Sequence, residues 1–190
     1  MDPDLDAICA AVLASEPSPG GVRIVLIDGP AGAGKTTLAG RLAAALGGVP
    51  VLHADDMYEG WEGLPTLTPL LRDQVVGPLS RGQEARFQRW DWHAGARADA
   101  VVAPPAPVVI VEGVGTGQSA VRGEASVLVW VAAPTDLRHE RWLRREGADT
   151  EAAWLRWARA EHDHFLAEGT REAAHVTVDG GQSRGPHAAR

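Results

Sequence analysis

The chain has one lysine in 190 residues, Lys35, and its 17 other basic side chains are all arginine. It has one cysteine, Cys9, which excludes an internal disulfide and points to a reducing cytosol. Apolar runs are too short to span a membrane and the N-terminus is acidic, so neither a membrane span nor a signal peptide is expected. The expectation is a soluble, cytoplasmic protein. Positive charge is also scarce: the net charge of −7 argues against a nucleic-acid partner, which usually needs a basic face. With 45% hydrophobic residues the chain can bury a core as one domain, 1–180, without a disulfide or metal staple. The tail 181–190 reads as disordered, and a homodimer is left open.

The lone lysine sits in Gly29-Pro30-Ala31-Gly32-Ala33-Gly34-Lys35-Thr36, which fits G-x-x-x-x-G-K-[ST] at every fixed position. A chain that otherwise uses arginine keeps a compact, flexible ammonium here, as a phosphate site requires. The context agrees. A β-branched run at 22–27 precedes the loop, and 37–46 follows with Leu38, Leu42, Ala45 and Leu46 at helical spacing before Gly47-Gly48. Strand, loop and helix in this order make a phosphate cradle from Gly29, Ala31, Gly32, Ala33, Gly34, Lys35, Thr36 and Thr37. Lys35 reaches the β and γ oxygens of ATP, and the Thr36 hydroxyl ligates Mg²⁺.

Apolar and helical segments alternate along the rest of the chain. After an amphipathic opening around 5–13, strands are expected at 22–27, 51–53, 108–111, 127–131 and 175–178, and further helices near 68–76, 135–145 and 151–168. The runs at 108–111 and 127–131 are continuously apolar, which suits parallel strands covered on both faces. The fold class expected is therefore α/β: a three-layer sandwich with a five-stranded parallel sheet between helices. Residues 55–107 are too many for a simple crossover and are assigned to an acceptor pocket.

Phosphoryl transfer needs charge neutralisation, in-line alignment and an acceptor held near a carboxylate. Asp55 and Asp56 follow the second strand at the edge of the sheet that carries the loop. Adjacent side chains in an extended segment point to opposite sides, so Asp55 is taken as base and Mg²⁺ contact and Asp56 as structural or on substrate. Glu112 ends a buried strand, where a metal-bound water would partner it. Arg138, Arg141 and Arg145 share one helix face by their spacing. Trp61, Trp90 and Trp92 fall in the pocket region and can stack on a flat acceptor, whereas Trp130, Trp142, Trp154 and Trp157 read as packing. His162 and His164 lie on different helix faces, which argues against a metal site there.

These pieces resemble the uridine kinase-like P-loop kinases, a group that includes phosphoribulokinase and pantothenate kinase. The resemblance runs from about residue 22 to 180 and rests on the loop, Asp55-Asp56-Met57-Tyr58, Trp90-Asp91-Trp92, Glu112-Gly113 and the arginine-rich helix. It implies that Asp55 is the base facing the acceptor hydroxyl, with Tyr58, Trp61, Trp90, Trp92, His93 and Arg97 on the acceptor. It implies a lid at about 135–150 whose Arg141 and Arg145 act with Lys35 in catalysis, and a Mg²⁺ shell of Thr36, Asp55 and Glu112. Where the family has Tyr-Asp-Phe, this chain has Trp90-Asp91-Trp92. The expected activity is transfer of the γ-phosphate of Mg·ATP to a hydroxyl of a small molecule, a nucleoside such as uridine or cytidine foremost. A nucleoside monophosphate, which Arg72, Arg81, Arg86, Arg89 and Arg97 could hold, a vitamin or sugar acceptor, and a slow ATPase switch stay open.

Overall fold

The computed structural model describes residues 3–181. In chain order the first elements are α1 (Pro3–Ala14), β1 (Arg23–Asp28), α2 (Lys35–Ala45), β2 (Val51–His53), α3 (Leu67–Leu70), α4 (Val76–Ser80), β3 (Ala85–Asp91) and β4 (Ala96–Ala103). They are followed by β5 (Val108–Glu112), α5 (Ser119–Arg122), β6 (Val127–Ala132), α6 (Thr135–Glu146), α7 (Glu151–Glu168), α8 (Thr170–Ala173) and β7 (Val176–Asp179). The tail expected to be disordered lies, from residue 182 on, outside the described residues.

Five strands form one parallel sheet in the order β2-β5-β1-β6-β7. Successive side chains of a strand alternate between its faces, and here both faces are apolar because both are covered. Val25, Ile27, Ile110 and Val129 pack with Ile8 and Val12 of α1 and Leu38 and Leu42 of α2. Ile24, Leu26, Val109, Val111 and Leu128 pack on the other face against Leu67, Leu71, Leu79 and the rings of Trp142, Trp154 and Trp157. The three-layer parallel sandwich matches the expectation, and α7 has the expected bounds.

The segment 55–107 differs from the sequence expectation in two ways. The helix expected at 68–76 is split: a wide π-type turn, Leu71–Val75, separates α3 from α4. Pro78 lacks an N–H for the carbonyl four residues back and its ring crowds it, so the helix opens there. The second difference is an antiparallel pair, β3 with β4, separate from the main sheet and joined by a turn at Trp92 to Gly95. Only Ala85, Phe87 and Ala103 of this hairpin are buried, so its apolar alternation is too sparse to stand out in the sequence.

Because the main strands are parallel, β1, β2 and β5 all end at one edge. Asp28, His53 and Glu112 are their last residues.

Candidate active site

A cleft of ≈ 690 Å³ opens at that edge. Its floor is the loop between β1 and α2. Gly34, immediately before α2, has φ +103, a backbone conformation that a side chain would oppose, and so lets the helix start directly below the loop. Gly32, at φ +76, leaves room for the backbone of α6: a Cβ here would lie 2.6 Å from the Arg138 carbonyl oxygen.

The loop carbonyls point at cations. Lys35 Nζ donates to the carbonyls of Gly29 (2.8 Å) and Pro30 (3.1 Å), Arg138 Nη1 to that of Ala31 (3.2 Å) and Arg141 Nη1 to that of Gly32 (3.0 Å). In a peptide unit C=O and N–H are antiparallel, so the Ala31 C=O, drawn to Arg138 outside the cleft lining, turns the Gly32 N–H the other way, as an anion nest needs.

Carboxylates stand above the loop. Glu112 Oε1 accepts from the Thr36 hydroxyl at 3.0 Å and lies 2.6 Å from His53 Nδ1. Glu112 therefore has protein partners, besides the metal-bound water that the sequence leads one to expect. Its hydrogen bond raises the pKa of the His53 imidazole. The Asp55 carboxylate opens into the cleft and takes no hydrogen bond among the described residues. Crowding by protein around it raises its pKa, against the pull of the Lys35 charge. Thr36, Asp55 and Glu112 offer only oxygen donors. Among the described residues no group of three or more His, Cys, Asp or Glu could hold a metal by itself. This donor set suits magnesium, which is commonly held by one or two carboxylates together with substrate phosphates.

Asp56 also lines the cleft. The expectation that Asp55 and Asp56 face opposite ways fails because 54–56 is a tight helical turn and not an extended segment.

Beyond the carboxylates the wall is aromatic. The Trp61 ring centroid lies 4.6 Å from that of Trp92, 5.0 Å from Trp142 and 6.1 Å from Trp157, and Tyr58 meets Trp157 edge-on at 5.1 Å. The Tyr58 hydroxyl is committed to the Val114 carbonyl, so this residue presents a ring and not a polar group. Trp92 Nε1 donates to the Asp55 carbonyl at 2.9 Å, tying the hairpin turn to the segment that carries the base candidate. His93 lines the cleft beside it. Trp142 and Trp157, expected as packing only, are nearly buried and also form this wall.

The structure brings Ala31, Gly32, Gly34, Lys35, Thr36, Thr37, Asp55, Tyr58, Trp61, Trp92, His93, Glu112, Arg141 and Arg145 to one cleft. Gly29 and Ala33 shape the loop without lining it. Trp90 and Arg97 fall elsewhere. Arg97 donates to the carbonyls of Met57 and Gln88 and to Glu59, with its guanidinium 5.6 Å from the Trp90 ring, so the pair braces the hairpin against 57–59 and does not face the cleft. Arg138 is buried against Glu161 at 2.7 Å, which separates it from Arg141 and Arg145 on its own helix.

Sequence reasoning missed His53, Glu161 and Asp28. Asp28 is fully buried, and its carboxylate accepts from the N–H groups of Gly29, Gly115 and Gly117 at 2.7–2.8 Å, joining the phosphate loop to the loop after β5. Burial pushes it from its ordinary 3.8 up to about 6, against those donors and Lys35. A folded-state value above the unfolded one means that this group stabilises the fold most at low pH, and that the contribution is lost as pH rises through about 6. Asp28→Asn keeps one acceptor oxygen but turns an NH₂ toward the Gly117 N–H. At neutral pH the variant should be about 1–3 kcal/mol less stable. Melts from pH 4.5 to 7.5 check both statements: the wild-type advantage should shrink as pH rises, and a constant difference would contradict the raised pKa.

No family model matches the chain. A cytidylate kinase from Nitratidesulfovibrio vulgaris is 43% identical over 65 residues, 31% of this chain and 28% of that protein. The match thus spans under a third of the curated relative. Among solved structures, a possible uridine kinase from Bacillus stearothermophilus superposes with a TM-score of 0.70 at 20% identity, covering 93% of this chain and 98% of that one. A protein described as a candidate fructose transport system kinase from Silicibacter sp. TM1040 gives 0.54 at 22% identity, over 91% and 98%. The fold is that of the uridine kinase-like P-loop kinases. Among the described residues no helix is long and apolar enough to cross a membrane.

Proposed function

We propose that this protein is an ATP-dependent kinase that phosphorylates a hydroxyl of an uncharged, ring-bearing small molecule, with a nucleoside such as uridine or cytidine the leading acceptor. In this reading the loop N–H groups and Lys35 hold the β and γ phosphates. Thr36, Asp55 and Glu112 would hold Mg²⁺, which supplies charge neutralisation when bound. Asp55 accepts the proton of the acceptor hydroxyl as its oxygen attacks the γ phosphorus. The bond from that phosphorus to the β–γ bridging oxygen breaks and ADP leaves. The raised pKa of Asp55 suits a base. Arg141 and Arg145 face the cleft from α6 and neutralise charge on the transferred group.

One observation carries the choice of acceptor. None of Arg72, Arg81, Arg86, Arg89 and Arg97 lines the cleft, and the wall past Asp55 is made of the rings of Tyr58, Trp61, Trp92, His93, Trp142 and Trp157 with the carboxylates of Asp56 and Glu146 and the apolar Val114. The cleft's cations are Lys35, Arg141 and Arg145, and the first two already attend the loop. A triphosphate makes use of all three, which leaves no cation for an acceptor phosphate or carboxylate. The cytidylate kinase match favours a second reading, a nucleoside monophosphate acceptor. Acceptor-stimulated ADP release separates the two when cytidine and uridine are compared with their 5′-monophosphates, pantothenate and sugars. Stimulation by the nucleosides, with at least about tenfold higher kcat/KM than the monophosphates, supports the first reading; the reverse order supports the second.

A further inference from the structure

Ala31, the third residue of the phosphate loop, has both of its backbone polar groups held by one ion pair from outside the loop. Its N–H donates to Glu161 Oε2 at 2.8 Å, its C=O accepts from Arg138 Nη1 at 3.2 Å, and the same Nη1 lies 2.7 Å from Glu161 Oε1. The three groups close a ring. Glu161 is 2% exposed, on the face of α7 that also carries Trp154 and Trp157, and Arg138 lies with its guanidinium 5.4 Å from the Trp154 ring. A carboxylate buried this deeply is costly unless it is paired and hydrogen-bonded. Burial does raise its pKa, and the Ala31 N–H, Arg138 and Lys35 oppose that rise.

This contact decides the orientation of two successive peptide units. Glu161 draws the Ala31 N–H away from the cleft, so the Pro30 C=O faces Lys35 instead, at 3.1 Å. Arg138 draws the Ala31 C=O outward, which turns the N–H of Gly32 the opposite way. Neither side chain appears in the wall of the cleft. They sit on two helices, and α6 also carries Arg141 and Arg145 at the cleft itself.

We infer that Glu161 is a positioning residue for the phosphate loop. With Arg138 it locks the loop in its anion-binding shape and ties that shape to the placement of α6 and α7. The inference rests on the reading that the loop holds nucleotide phosphate. Nucleotide binding in the loop and the pose of α6 are then one equilibrium, because displacing Ala31 strains the pair and displacing the pair frees Ala31.

Calorimetric titration of Mg·ATP into the wild type, Lys35→Ala and Glu161→Gln tests it, with circular dichroism and melting on each. Glu161→Gln keeps the side-chain length and an oxygen for the Ala31 N–H but leaves Arg138 without its counter-charge. The expected result is a folded variant that binds Mg·ATP about tenfold or more weakly. Slowing of hydrogen exchange across α6 on adding Mg·ATP, expected in the wild type, should be lost. A folded variant with an ATP Kd within twofold of wild type, whatever its melting temperature, overturns the inference and leaves a purely structural ion pair. If Glu161→Gln does not fold, Arg138→Lys carries the test, since an ammonium cannot reach both Glu161 and the Ala31 carbonyl as the guanidinium does. Several-fold weaker ATP binding supports the inference and an unchanged Kd overturns it. A wild type that binds no ATP removes the nucleotide reading and the inference together. A wild type that binds, with Lys35→Ala that does not, keeps the reading whatever Glu161→Gln does.

Discussion

Lys35→Ala should reduce phosphoryl transfer by about 10³-fold or more while the protein stays folded. The residue is only 8% exposed, which would ordinarily make truncation a packing defect. Its ammonium, however, contacts two loop carbonyls at the floor of an open cleft, where water can replace it once the side chain is gone. The charge that builds on the β and γ oxygens depends on this ammonium. ADP release measured beside circular dichroism and a thermal melt separates the two effects. A variant that turns over at near wild-type rate would remove the phosphate-cradle reading, and one that melts far below the wild type would show that Lys35 holds the loop together.

Asp55→Asn should lower kcat by about 10² or more and change ATP affinity by only a few-fold. Among the described residues the carboxylate takes no hydrogen bond, and it lies in the cleft, so the amide fits the same space but can no longer take a proton. Among the described residues this side chain makes no hydrogen bond to the loop that cradles the triphosphate, which is why binding should survive. Asp56 lines the same cleft, so Asp56→Asn serves as the internal comparison. It should do less. A larger loss at Asp56 would move the base by one residue.

How much of this was legible depended on how local the cause was. The loop, β1 and α2 follow from short-range spacing, and the parallel sheet follows from continuously apolar runs that need cover on both faces. The ends of β2 and β5 were placed, which put Asp55 and Glu112 at the loop. His53 ends β2 and was within reach of the same argument. The hairpin β3–β4 was not, because Arg, Gln and Asp interrupt its alternation and its register is irregular between Gln88 and Trp90. Trp90 and Arg97 were drawn to the acceptor by a motif likeness, yet one ring and one guanidinium brace the hairpin itself. Glu161 shows the opposite failure. It sits among polar residues, Glu-His-Asp-His at 161–164, and reads as solvated, although Trp154, Trp157 and Glu161 are spaced to share the packed face of α7. Only the tertiary approach of α6 and the phosphate loop explains why a carboxylate belongs there.

The most direct test of the central claim follows the phosphorus. Incubation with γ-labelled ATP, Mg²⁺ and cytidine or uridine should place the label in an organic phosphate ester formed one-for-one with ADP, in the wild type and not in Lys35→Ala. Label released only as inorganic phosphate, at a rate indifferent to every acceptor supplied, would contradict the kinase reading and make the protein a nucleotide hydrolase.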